Sequence, residues 1–192
     1  MKIDISDLQK LLEAIDNKKL SIPEAIALIN GKNGKIEKKV ATSQAITTDD
    51  VKLTVDYTKT VEQAIADGNY DWKNSDVTAK NFPISPEMIG KKVDISGRLF
   101  HFDRNIGSEN AIKKMDSDGC RPATLMELLA LGATHPELQK QFPIIALGSV
   151  WRDSSGSRQV PYLGVGAYDR KLYLDDFGLD WAARCRFLGV RK

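Results

Sequence analysis

Cysteine and histidine are almost absent from this chain. Cys120 and Cys185 are the only two cysteines in 192 residues, too few for a disulfide framework. Neither has a histidine or cysteine partner at metal-ligand spacing, so both read as buried or half-buried free thiols. His101 lies in the alternating run LFHFD and His135 at a helix-to-proline junction, and both read as structural. Neither charge sign dominates. The 28 Lys and Arg offset 26 Asp and Glu to a net charge of +2, and no basic stripe points to nucleic acid. No apolar stretch approaches the roughly 18–20 residues that cross a bilayer, so no membrane span is expected. The segment MKIDISDLQKLLEAID is acidic and amphipathic and lacks the apolar core of an export signal, which makes the cytoplasm the default location.

Catalytic motifs are missing as well. Gly148-Ser149-Val150-Trp151 lacks the second glycine of a nucleophile elbow. Cys120, between Gly119 and Arg121, has no histidine nearby in sequence to serve as base. Gly164-Val165-Gly166 is a fragment of a glycine-rich loop with no following Lys-Ser/Thr. Asp175, Asp176 and Asp180 could offer oxygens to a hard cation, but calcium-loop spacing is absent. No cofactor is expected.

A packed core is present instead, since 42% of the residues are hydrophobic. Residues 4–30 read as a helical hairpin with Ser6/Gln9 and Ser21/Glu24 as capping boxes. Residues 31–50 read as a linker, so a boundary is expected near residues 46–47. Val51, Leu53, Val55 and Tyr57 alternate with polar residues as a half-buried strand. Thr60 and Gln63 cap a short helix that ends at Gly68. Tyr70, Trp72 and Phe82 are expected to anchor an irregular loop to the core. A strand follows over Lys92–Asp103. One helix starts at Ser108, and another is capped by Thr124 and Glu127 with Leu125, Leu128, Leu129 and Leu131 apolar. Phe142–Leu147, Leu172–Leu174 and Arg186–Val190 read as strands, and Asp153–Ser157 as a turn. This order predicts an α+β domain over residues 47–192.

The segment from Tyr162 to Cys185 differs in composition from the rest. Tyr162, Tyr168, Tyr173 and Phe177 stand among Gly164, Gly166, Gly178, Ala182 and Ala183, with Asp175, Asp180 and Arg184 interspersed. Tyrosine among small residues supplies large contact area at low entropic cost, as in antibody loops. An ordinary exposed sheet with loops has the same composition, so both readings stay open at this point.

The phrases CRPATLMELLALG, FPIIALGS, VPYL and CRFLGVRK resemble the variable proteins of diversity-generating retroelements, in the form met in small-genome archaea and bacteria. The resemblance covers roughly residues 51–192. It implies a C-type lectin fold, related to the formylglycine-generating enzyme, with a variable region over about residues 150–192. In that family an error-prone reverse transcriptase rewrites adenines, mostly in AAC codons. Framework positions would be Leu172, Leu174, Trp181, Arg186, Phe187, Leu188 and Val190. Ligand-binding variable positions would be Tyr162, Gly164, Val165, Tyr168, Tyr173, Asp175, Leu179, Ala182, Ala183 and Arg184. Cys185 and Asp176 fit either class. The resemblance implies a non-catalytic binder of a variable ligand, protein rather than carbohydrate, because the Glu-Pro-Asn sugar motif is missing. Two alternatives stay open. One is an enzyme of the formylglycine-generating type, which would need Cys120 and Cys185 close in space. The other is a structural fibre-tip or assembly module docked through the N-terminal hairpin.

Overall fold

A computed structural model describes residues 46–47 (as backbone), 50–167 and 169–192. The hairpin and most of the linker expected before residue 46 lie outside the described residues, as does Tyr168. The architecture is α+β, a large mixed sheet with four helices among the described residues. The strands are β1 (Ile46–Thr47), β2 (Val51–Asp56), β3 (Trp72–Lys73), β4 (Lys92–His101), β5 (Ile106–Gly107), β6 (Cys120–Pro122), β7 (Ile144–Ile145), β8 (Trp151–Arg152), β9 (Arg158–Val165), β10 (Arg170–Asp176), β11 (Asp180–Trp181) and β12 (Arg186–Arg191). The helices are α1 (Val61–Asp67), α2 (Ser108–Ser117), α3 (Leu125–Thr134) and α4 (Leu138–Gln141).

Local chemistry accounts for most helix ends. The Thr60 N–H donates to Gln63 Oε1 (2.8 Å) and the Gln63 N–H to Thr60 Oγ1 (3.3 Å), closing the box that starts α1. At α3 the Thr124 N–H donates to Glu127 Oε2 (2.7 Å) and the Leu125 N–H to Ser149 Oγ (2.9 Å). Ser149 is therefore a helix cap. Glu127 is 1% exposed and takes a two-pronged ion pair from Arg121, at 2.6 and 3.0 Å. That pairing makes burial of its charge tolerable.

Ten strands form the main sheet, with the path β1-β4-β12-β7-β9-β10-β3; β2 also pairs with β4, β6 with β12, and β8 with β9. β5 and β11 make a separate two-stranded ladder. The chain's last strand, β12, sits in the interior of the sheet, antiparallel to β4 and parallel to β7. Its alternation places Leu188 and Val190 in one hydrophobic cluster and Phe187 in another. The first cluster covers one face of the sheet under α1 and α3, with Leu53, Val55, Leu163 and Leu172. The second covers part of the other face under α2, with Ile106, Met115, Trp181 and Phe187.

Three expectations need correction. The run Phe142–Leu147 is regular strand only at Ile144–Ile145, although residues 144–147 are all buried. Trp72 does not anchor its loop in the core. It is 45% exposed because β3 lies at the sheet's edge, whereas Phe82 and half-buried Tyr70 do pack inward. The strand expected over Lys92–Asp103 stops at His101.

Candidate functional site

Strand pleating determines which residues of the β9–β10 hairpin share a face. Tyr162 pairs opposite Tyr173, and Gly164 opposite Lys171. Leu163, Leu172 and Leu174 point to the opposite face and join the first cluster. Past the reach of α2, the tyrosine face is left partly open. Tyr162 and Tyr173 stack there at 4.9 Å with planes 14° apart. Trp72 leans on Tyr173 at 5.3 Å, and Trp181 meets Tyr162 edge-on at 6.2 Å. The result is a row of four rings running from an exposed tryptophan to a buried one. Such pairs add about 0.5–1.5 kcal/mol each beyond their burial.

Beside this row lies a groove of about 360 Å³, toward the lower end of the range for small-ligand sites. Tyr162, Gly164, Val165, Tyr173 and Arg184 line it, together with Lys140, Gln141, Phe142 and Pro143. Burial is the main cause that pushes the Tyr162 hydroxyl up to about 12; the Asp175 carboxylate adds to the shift and Arg184 opposes it. At neutral pH this phenol is therefore a proton donor.

The segment between β10 and β12 is fixed by groups other than its outward side chains. Trp181 Nε1 donates to Ser108 Oγ (2.8 Å), and Ser108 Oγ donates to the Phe177 carbonyl (2.6 Å). His101 Nε2–H donates to the Ala183 carbonyl (2.9 Å). The Ala183 N–H donates to Asn105 Oδ1 (3.2 Å), and the Cys185 N–H to the Ala182 carbonyl (2.9 Å). Arg186 stacks its guanidinium over Phe142 at 4.6 Å. With the backbone held this way, the exposed side chains of Ala182 and Arg184 carry none of the segment's own support.

The structure thus brings five of the sequence-predicted site residues to one groove and distributes the others. Asp175 is half-buried next to Tyr162. Ala182 and Ala183 stand on the adjoining segment. Leu179 is 45% exposed in the turn after β10, away from the groove. Gly164 is itself buried, and a Cβ there would stand 3.3 Å from Tyr162 Cε2 and 3.5 Å from Tyr173 Cε2. It forms the floor beneath the rings and offers a ligand no side chain. Trp72 and Phe142 belong to the surface and were missed. Trp72 stands in NYDWKN with no apolar periodicity around it, the one signal that it would not be core.

Cys120 and Cys185 are both buried and free, and burial pushes both thiols up. Cys120 pairs opposite Arg191, at the far end of β12 from Cys185. That leaves ~20 Å of strand between them, against the ~7 Å between Cα atoms that a disulfide allows. Among the described residues no three His, Cys, Asp or Glu side chains gather as a metal site, and no helix is long and apolar enough to cross a membrane. Comparison with known proteins adds no relative to this geometry: no family model, no curated protein and no solved structure matches the chain.

Proposed function

We propose that this is a ligand-binding protein of the C-type lectin fold, preceded by an N-terminal helical hairpin, whose C-terminal surface is diversified by a retroelement and recognises protein ligands without catalysis. The observation that carries the reading is the separation of roles along residues 162–190. Leu172, Trp181, Phe187, Leu188 and Val190 are buried, while Val165, Tyr173 and Arg184 line one groove and reach solvent, and Ala182 is exposed on the segment that carries Arg184. A scaffold built this way can change its outward residues at a cost within about 0.5 kcal/mol each. The fold assignment is supported by a terminal strand held inside the sheet next to β4, two main helices, and a long irregular segment before β12. The redox-enzyme alternative needs its two cysteines together, and β12 holds them apart. The fibre-tip alternative rests on residues outside the described ones.

Deep sequencing of the gene's 3′ end in its source population, with a search of adjacent DNA for a near-copy, tests the reading. Substitutions confined to outward codons between Tyr162 and Arg184, each facing an adenine in the copy, are expected. Uniform drift with no copy would leave a binder of fixed specificity.

A further inference from the structure

The groove beside the tyrosine row has two walls of different origin. Tyr162, Tyr173 and Arg184 belong to the region that the proposed diversification would vary. Lys140, Gln141, Phe142 and Pro143 precede that region. This second wall is held to the first by buried polar bonds. Gln139 is 1% exposed. Its Nε2 donates to the Gly164 carbonyl (2.7 Å), and its Oε1 accepts from Arg170 Nη2 (2.9 Å). The Arg186 N–H donates to the Pro143 carbonyl (2.9 Å). Lys140 and Gln141, the next two residues after Gln139, are therefore carried on a fixed support.

The charges that line the groove have one sign. Lys140 stands on one wall and Arg184 on the other, and among the described residues no carboxylate lines it. Both cations are exposed, and Val165 at the same groove is 43% exposed, so the site is open to solvent. Asp175, the next residue after Tyr173 on that face of β10, stands outside the lining, opposite Val160. The neutral polar groups of the groove can donate as well: the Tyr162 hydroxyl keeps its proton at neutral pH, and Gln141 carries amide hydrogens. Rings of Tyr162 and Tyr173 supply apolar surface between these donors. At about 360 Å³ the space admits one or two residues of a ligand.

We propose that this groove takes a carboxylate standing next to an apolar group of a protein ligand, with Lys140 and Arg184 at the carboxylate and the tyrosine rings against the apolar group. The carboxylate can come from the end of a chain or from an acidic side chain; the recognising chemistry is the same. This rests on the reading that the groove binds protein, and it names the group that its ligands share. Charge-assisted hydrogen bonds to a carboxylate are about twice as strong as neutral ones, which makes the charge the selective feature. Lys140 lies outside the varied region, so a preference for anions persists where residue 184 has changed, and Arg184 strengthens it in this chain.

The test is titration of the full chain with four tetrapeptides, followed through the backbone amide resonances of residues 140–142 and 184. Two end in leucine, one as the free acid and one as the C-terminal amide. Two are capped at both ends and carry glutamate or glutamine before leucine. In at least one pair the acid is expected to bind about tenfold tighter than its neutral partner, the scale of a hydrogen bond to a charged group. Salt should erode that margin. A response in the first pair alone identifies a chain end, and in the second alone an acidic side chain. Lys140→Glu and Arg184→Glu change exposed positions, where substitution has little effect on folding. Each should remove the acid's advantage while the neutral partner binds as before. Equal binding within both pairs would overturn the proposal, as would shifts confined to residues outside the groove or an advantage that survives Lys140→Glu. Inorganic phosphate that displaces the peptide acids at equal concentration would also overturn it, by making the groove a general anion site. The diversified reading stands or falls separately, on whether the gene's 3′ codons vary.

Discussion

Strands β10 and β12 look alike on paper and behave differently in the sheet. KLYLDD and RFLGVR both alternate, and each ends in charge. In β12 every residue from Phe187 to Val190 is buried, because β4 and β7 flank it and a hydrophobic cluster covers each face. In β10 only Leu172 is fully buried, and Tyr173, Leu174, Asp175 and Asp176 are each half-buried. Alternation states that a strand has two faces. It does not state whether either face is covered, since that depends on the strand's place in the sheet and on what packs above it. The same local pattern thus yields a frame at β12 and a contact surface at β10.

Mutations at matched positions sharpen the contrast. Phe187→Ala removes a ring that is 1% exposed and should cost about 3–5 kcal/mol, read as a lower urea midpoint. A loss below about 1 kcal/mol would mean that β12 is not the frame. Gly189→Ala would bring a Cβ within 2.7 Å of Phe100 Cε2 and 3.3 Å of Cys120 Cβ, in a region without room to relax. A loss of about 1–3 kcal/mol is expected by the same measurement. On β10, Tyr173→Ala removes one stacked and one tilted ring contact at a half-open position. It should cost about 1 kcal/mol of stability while abolishing capture of any ligand that uses the platform. Gly164→Ala meets only the edges of Tyr162 and Tyr173 at 3.3 and 3.5 Å. Because those rings face an open side and can swing, thermal denaturation should show less than about 1 kcal/mol of change, well short of Gly189→Ala.

The smallest effect comes from alkaline titration. Tyr162 is pushed up to about 12, and burial raises Tyr57 and Tyr70 as well. A phenol whose folded pKa exceeds its unfolded one holds its proton more tightly in the native state. Its contribution to stability is complete below the unfolded value near 10 and is lost as pH rises toward the folded value. Ultraviolet titration should therefore show a late tyrosine class that Tyr162→Phe reduces by one. Denaturant midpoints should begin to fall above pH 10.

How much was legible follows the range of the interactions. Helices α1 and α3 announced themselves through Thr60/Gln63 and Thr124/Glu127, residues three apart whose exchange of hydrogen bonds needs no distant partner. The turn at Asp153–Ser157 was readable for the same reason: Asp153 Oδ1 accepts from the Ser155 and Ser157 N–H groups (2.9 and 3.0 Å). β3 was not readable. Trp72 and Lys73 become a strand only because Lys171 and Leu172 lie beside them, and nothing in NYDWKN encodes that meeting. The burial of Gly164 was not readable either, because a glycine signals small size without telling whether the space belongs to a ligand or to Tyr162.

By itself the sequence determined the α+β class, the starts of α1, α2 and α3 and the inward leucines of the late strands, since these follow from caps and periodicity over a few neighbouring residues; the short α4 carried no such signal. Tertiary structure alone decided that β12 is enclosed and β10 half-open, that Trp72 joins Tyr173 and Tyr162 on one face, and that the two cysteines stand apart. Each of these depends on residues far apart in the chain being brought side by side, and pairing of that kind is set by the packing of the whole sheet.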